Sequence, residues 1–169
     1  KASEIVKEGK WDDPSVLEVA KAYEDFAKKG YFSEQIASNV WPAGQNQELA
    51  LGTAAIYLNG SWLPNEVKDI TGEDFSWGCF SYPAVKGGKD GVEASNYGAQ
   101  VFAINKKSKK AEDAFKLIQF FTKGKFDEKL SQESLGIPAD SDNKDWPKQL
   151  KNVRPVMEEL KTRYPWAAS

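Results

Sequence analysis

Trp62 is the residue whose surroundings most clearly suit a chemical task. It follows the stretch Ala54-Ala-Ile-Tyr-Leu-Asn59, then Gly60 and Ser61. A short apolar run of this kind reads as a buried strand from about Ala54 to Asn59, and Asn59-Gly60 as a tight turn that presents the tryptophan at the strand's end. Binding sites in α/β proteins are commonly built at strand ends. An indole plane suits the apolar C–H face of a sugar ring, whose hydroxyls then need planar polar partners. The competing reading is a tryptophan packed into the core or against a helix.

Other chemistries lose their residues. The chain has no histidine, which removes the commonest general base, the Ser-His-Asp arrangement and most zinc sites. The adjacent carboxylates Asp12-Asp13 and Glu158-Glu159 do not face each other on a helix, so they make no glycosidase pair. The run from Asp140 to Asp145 lacks the central glycine and closing glutamate of a calcium loop. Lys86-Gly-Gly-Lys89 lacks the Lys-Ser/Thr of a phosphate loop. Lys106 to Lys110 is basic without interleaved aromatics, which reads as a solvated turn rather than a nucleic-acid patch. A net charge of −2 provides no field for nucleic acid or an acidic membrane. Cys79 is the single cysteine, so no internal disulfide is possible and the compartment stays open. No catalytic residue, metal or cofactor is expected.

The elements that must position Trp62 alternate between helix and strand, which indicates α/β layers. Lys1 to Gly9 reads as a helical start. Asp13 caps a helix with Pro14 at its first position, and Gly30 stops it. Val16, Val19, Ala20, Tyr23, Phe26 and Ala27 share one face of that helix. A helix over Ala43–Leu51 ends at Gly52, and Pro64 starts another carrying Val67 and Ile70. Trp77–Tyr82 and Ala99–Asn105 read as further strands, separated by the polar turn Lys86–Gly91. Ser108 is expected to cap the next helix, with Ala111, Ala114, Phe115, Ile118 and Phe121 as its buried stripe and Gly124 as its end. Helical pieces follow over about Phe126–Ser134, Pro147–Lys151 and Val153–Lys161. Because the chain starts inside a helix, it is expected to be a piece of a larger protein, so the missing signal peptide says little about location.

The ordered set of phrases resembles a known family. Lys28-Lys-Gly-Tyr-Phe32, Leu51-Gly-Thr-Ala-Ala-Ile-Tyr-Leu-Asn-Gly-Ser-Trp62, Trp77-Gly-Cys-Phe-Ser-Tyr-Pro-Ala84, Ala99-Gln-Val-Phe-Ala-Ile-Asn-Lys-Lys-Ser-Lys109 and Leu135-Gly-Ile-Pro-Ala139 follow the family's order. They resemble the C-terminal part of a bacterial extracellular solute-binding protein of the sugar-binding class, the maltose-binding-protein-like receptors of ABC importers. The resemblance spans about Val16 to Ala139. It implies a periplasmic-binding-protein-like (type II) α/β fold, with a mixed sheet flanked by helices, incomplete relative to the two-lobed family. Residues 1–93 would belong to the C-terminal lobe, 94–99 to a hinge crossover, 100–139 to the N-terminal lobe and 140–169 to a helical tail.

The resemblance also implies the site. Trp62 would stack on a sugar ring in the cleft between lobes. Trp41, before Pro42, sits where the family often places an aromatic contact, against the alternative that it pins the start of a helix. Asn96 and Tyr97, at the crossover, would line the cleft as hydroxyl partner and aromatic wall, or else shape the hinge turn. Glu93 is a weaker member of the set. Tyr82 and Trp77 read more readily as structural, and Trp166 as an exposed tail residue. The implied function is non-enzymatic oligosaccharide binding outside the cytoplasm, periplasmic or as a surface lipoprotein, with ABC permease subunits as partners and no nucleic acid. The alternatives are a standalone glycan-binding domain and a structural α/β interaction domain.

Overall fold

A computed structural model describes residues 2–165 of the chain. They fall into two compact units, Lys1–Tyr57 and Leu58–Ser169. The first holds α1 (Ala2–Glu8), α2 (Pro14–Lys28) and α3 (Ala43–Ala50). The second holds α4 (Leu63–Thr71), β1 (Ala94–Tyr97), α5 (Ala111–Phe121), α6 (Gly124–Ser134), α7 (Val153–Glu159) and β2 (Thr162–Pro165), with a 3-10 turn at Lys148–Leu150.

In the first unit, α2 starts as its sequence dictates. The Asp13 carboxylate accepts from the Ser15 amide at 2.9 Å, and Pro14 follows the cap. This satisfies an amide that the helix itself leaves unpaired. Ion pairs one turn apart, Lys28–Glu24 at 2.6 Å and Lys29–Asp25 at 2.7 Å, support its exposed end. The apolar face carries a small aromatic cluster: Phe32 lies against Tyr23 and Phe26, with ring centroids 5.9 Å apart in both cases. Val19, Tyr23 and Phe26 nevertheless stay exposed. Gly52 follows α3 with φ of +76°, the left-handed backbone a helix stop requires.

In the second unit, α4 is anchored by Leu63, Pro64 and Val67, all buried. Burying a side chain such as Val67 contributes about 1.5–3 kcal/mol. Leu150 and Pro147 are also fully buried. The sheet among the described residues is a single parallel pair, β1 with β2, in register Ala94–Thr162, Ser95–Arg163, Asn96–Tyr164 and Tyr97–Pro165. The Glu93 carbonyl accepts from the amides of Lys161 and Thr162, at 2.9 and 3.1 Å, and starts the ladder.

Helix α5 packs on α6, with Phe120 and Phe126 rings 4.6 Å apart. The start of α6 is capped from a distance: the Asp140 carboxylate accepts from the Gly124 amide at 3.0 Å. Asp127, buried on α6, accepts in turn from the amides of Ala139 (2.9 Å) and Asp140 (3.2 Å) and from Asn143 Nδ2 (3.3 Å). These three donors offset the cost of burying the carboxylate.

Several expectations need correction. The segments 54–59, 77–82 and 99–105 are not strands, and the expected mixed sheet is a two-stranded parallel one. A strand is defined by a ladder with a hydrogen-bonded neighbouring strand, and among the described residues these segments pair with no strand. Their apolar side chains stand open: Ile56, Leu58, Phe80, Val101 and Phe102 are exposed. The stripe of α5 is also less covered than expected, with no fully buried residue and Phe115 exposed. Ser108 does not cap α5. Its hydroxyl accepts from the Lys110 amide at 3.2 Å, and the helix begins at Ala111. Gly124 does not end α5, which stops at Phe121, but opens α6. Strand β2 has no counterpart in the sequence reading. Trp166 lies outside the described residues.

Candidate functional site

The turn before α4 sets the position of Trp62. Asn59 accepts from the Gly60 amide through its own side chain at 2.7 Å, and the Gly60 carbonyl accepts from the Leu63 amide at 3.1 Å. The chain therefore bends at Gly60 into α4, and Trp62 occupies the helix cap with helical dihedrals. It stands at the start of a helix, not at the end of a strand. Its indole lies against Gly60 so closely that a Cβ there would overlap ring atoms Cζ3, Cη2 and Cε3. Glycine is thus what lets the ring lie on the backbone. The side chain remains 45% exposed. Trp41 belongs to the first unit and is also exposed.

The parallel pair positions the next group. Successive residues of a strand face opposite sides, so Asn96 and its register partner Tyr164 share one face, and Tyr97 and Arg163 the other. On that other face the Arg163 guanidinium lies 5.5 Å from the Tyr97 ring centre, a cation–π contact. Asn96 and Tyr164 line an open groove of about 280 Å³. Tyr82, Pro83, Lys89 and Asp90 complete its polar and aromatic rim. Asn96 is thus placed in the groove, whereas Tyr97 and Trp62 are not among its lining residues.

Two acidic groups shape the same region. Glu93 turns its carboxylate back on the preceding turn, accepting from the Gly91 amide at 3.2 Å. The absence of a Cβ at Gly91 makes room for this approach, since one built there would overlap Glu93 Oε2. Hydrogen bonding from its own amide and from that of Gly91 holds the Glu93 carboxyl below its usual range, with Lys161 a weaker attraction and desolvation opposing. Asp90, on the Lys86–Gly91 turn, receives the Tyr164 hydroxyl at 3.0 Å from each carboxylate oxygen. That bond, with desolvation and the charge of Asp90 behind it, raises the Tyr164 phenol above its ordinary value. Asp90 and Tyr164 are two groove residues that sequence reading did not propose as ligand contacts. The available signals were weak: an aspartate between a lysine and a glycine in a polar turn, and a tyrosine before a proline.

Trp77, read as structural, is half-buried, its ring 4.8 Å from that of Phe75. Its carbonyl accepts from Asn152 Nδ2 at 2.6 Å. Tyr82 lines the groove and is exposed.

The second unit therefore presents a half-exposed indole and, separately, an open groove with a carboxylate, an amide, an ammonium and phenols. Such a mixture can hold a polar solute by hydrogen bonds and ring contacts. Comparison with protein families gives a match over residues 4–152 to the family described as bacterial extracellular solute-binding protein. Comparison with curated proteins and with solved structures gave no match. The match covers most of the chain, and the protein belongs to the bacterial extracellular solute-binding protein family.

Proposed function

We propose that this protein recognises a carbohydrate as the solute-binding component of an ABC importer. Family membership supports solute binding, an extracytoplasmic location and a permease as partner, in a family that is generally non-enzymatic. No helix among the described residues is long and apolar enough to cross a membrane. The observation that carries the carbohydrate reading is Trp62, an indole seated on the Gly60 backbone and close to half exposed. A ring fixed in this way loses little freedom when a sugar face stacks on it, so more of the stacking energy is left for affinity. Trp41, Asn96, Tyr97 and Glu93 are the further proposed contacts, as aromatic walls and hydroxyl partners.

In this reading, residues 1–93 belong to the C-terminal lobe, 94–99 to the crossover, 100–139 to the N-terminal lobe and 140–169 to a helical tail. The lobes follow a type II binding-protein plan and close on an oligosaccharide by hinge motion. The extended backbone of Ala94–Tyr97 supports a crossover there. The decisive experiment is titration calorimetry of the full-length protein with a panel of neutral oligosaccharides, repeated on Trp62→Ala. Binding of one of them that falls at least tenfold in the variant is the expected result. Equal affinity in the variant refutes the stacking role, and no binding across the panel refutes the carbohydrate reading.

A further inference from the structure

The groove beside β1 contains one arrangement that family membership does not predict. Asp90 sits on a glycine-flanked turn, Gly87-Gly88-Lys89-Asp90-Gly91, and is exposed. Its carboxylate is held. The Tyr164 hydroxyl, carried on β2, donates to both Asp90 oxygens at equal distances of 3.0 Å. Tyr164 is in turn fixed by its place opposite Asn96 in the ladder. The contact therefore ties a polar turn to a strand 74 positions further along the chain. All three side chains line the same open groove, and Lys89 joins them.

The chemistry that suits this constellation follows from its donors and acceptors. A phenol donating between the two oxygens of a carboxylate leaves each oxygen with acceptor capacity on its outer side. These outer acceptor positions point away from each other, so the one that faces the groove suits a single solute hydroxyl. Asn96 adds an amide that both donates and accepts, and Lys89 adds donors for the hydroxyl oxygens. Hydrogen bonds to an ionised acceptor are stronger than neutral ones, and their strength depends on angle. An Asp90 free to rotate would give up that advantage.

We propose that Asp90 is the groove's acceptor for one hydroxyl of a neutral polyhydroxylated solute, and that Tyr164 is the positioning residue that aims it. The proposal rests on the carbohydrate reading above and adds to it the residues that set specificity. Tyr164 acts through Asp90, so its removal weakens binding only where Asp90 is used.

The test uses the full-length protein with maltotriose, cellotriose, xylotriose and galactotriose as probes, in titration calorimetry with wild type, Asp90→Asn and Tyr164→Phe. Both substitutions keep the side-chain shape, and circular dichroism with thermal melts establishes that each variant is folded. For whichever probe binds, Asp90→Asn is expected to lower affinity about tenfold and Tyr164→Phe about threefold to tenfold. Single-deoxy versions of that probe supply the readout that a merely structural role would not move. The deoxy probe that wild type binds weakly is expected to bind wild type, Asp90→Asn and Tyr164→Phe with affinities within about twofold of one another, because the lost hydroxyl is the one Asp90 served. A trisaccharide that binds wild type and both variants equally overturns the proposal and leaves the carbohydrate reading standing. So does a variant loss that is the same for every deoxy probe. Failure of all four trisaccharides to bind wild type overturns the carbohydrate reading and the proposal with it.

Discussion

Replacing Asp127 by alanine removes the acceptor around which the 139–143 loop is folded. Asp127 is 3% exposed. It accepts from the Ala139 amide at 2.9 Å, the Asp140 amide at 3.2 Å and Asn143 Nδ2 at 3.3 Å. Its loss leaves two backbone amides without an acceptor, each costing about 1–3 kcal/mol if it stays out of water. Ala139 is itself exposed and Asp140 half-buried, so water recovers part of that, and the sum belongs near the lower end, about 2–4 kcal/mol. The damage spreads one step. With the Asp140 backbone released, its side chain loses the geometry that caps the Gly124 amide at the start of α6. Asp127→Asn keeps one acceptor oxygen and turns its own donor toward an amide, so it is expected to cost about 1–2 kcal/mol. Urea unfolding followed by far-UV circular dichroism measures both. Asp142→Ala, exposed in the same loop, is the control and is expected to change stability by less than about 0.5 kcal/mol. An Asp127→Ala protein within that same margin of wild type would refute the account of the loop.

Gly60→Ala places a methyl group where the Trp62 indole lies, so the ring must swing away while α4 keeps its buried anchors Leu63 and Val67. The expected result, under the proposed carbohydrate reading, is altered tryptophan fluorescence and an oligosaccharide affinity lower by about tenfold, the weight of one aromatic contact; altered fluorescence with unchanged affinity would remove Trp62 from the proposed site. The Tyr164 phenol, raised by its bond to Asp90, binds its proton more tightly in the folded state. Its contribution to stability is thus fully present below about pH 10, the unfolded value, and lost as pH rises through the higher folded one. A phenolate absorbance titration of wild type against Tyr164→Phe should show the missing phenol ionising later than an ordinary tyrosine, and an ordinary midpoint would contradict the Asp90 contact. Glu93 and Asp140 have the opposite sign: both carboxyls are lowered, chiefly by backbone amides. Their stabilisation holds above the ordinary carboxylate range and fades as pH falls through their lower folded values. Acid melts of wild type and Asp140→Asn are therefore expected to converge at low pH.

The parts of the fold that sequence reading recovered are those written locally. Asp13-Pro14 and Gly30 bracket α2 because capping and left-handed stops involve residues only a few positions apart. The same is true of Pro64 at the start of α4 and Gly52 after α3. Strand β2 was illegible because its partner lies far back at Ala94–Tyr97, and four residues ending in proline carry almost no strand signal of their own. Asp127 was illegible for a related reason. A charged residue on a polar helix reads as solvated, and only the folded loop brings it three donors. Of the site residues expected, Asn96 lines the groove and Trp62 and Trp41 are exposed aromatics. Glu93 and Tyr97 are engaged by Gly91 and Arg163.

The segments 54–59, 77–82 and 99–105 show what strand-like composition measures. Ile56, Leu58, Phe80, Val101 and Phe102 are the residue types that fit a pleated surface covered on at least one side, and each is exposed here. Composition thus reports that a segment is built to be covered, and the ladder depends on a neighbour that composition does not name. The same distinction applies to Trp62. Its prominence in the sequence came from an expected strand end, yet its position comes from Gly60 and the cap of α4. A helix cap held by Leu63, Pro64 and Val67 is a firmer mount than the end of an unpaired segment, because the buried face of α4 fixes the backbone that carries the ring. A rigid mount is what a stacking platform needs, so the proposed sugar contact of Trp62 depends on the cap of α4 rather than on a strand end.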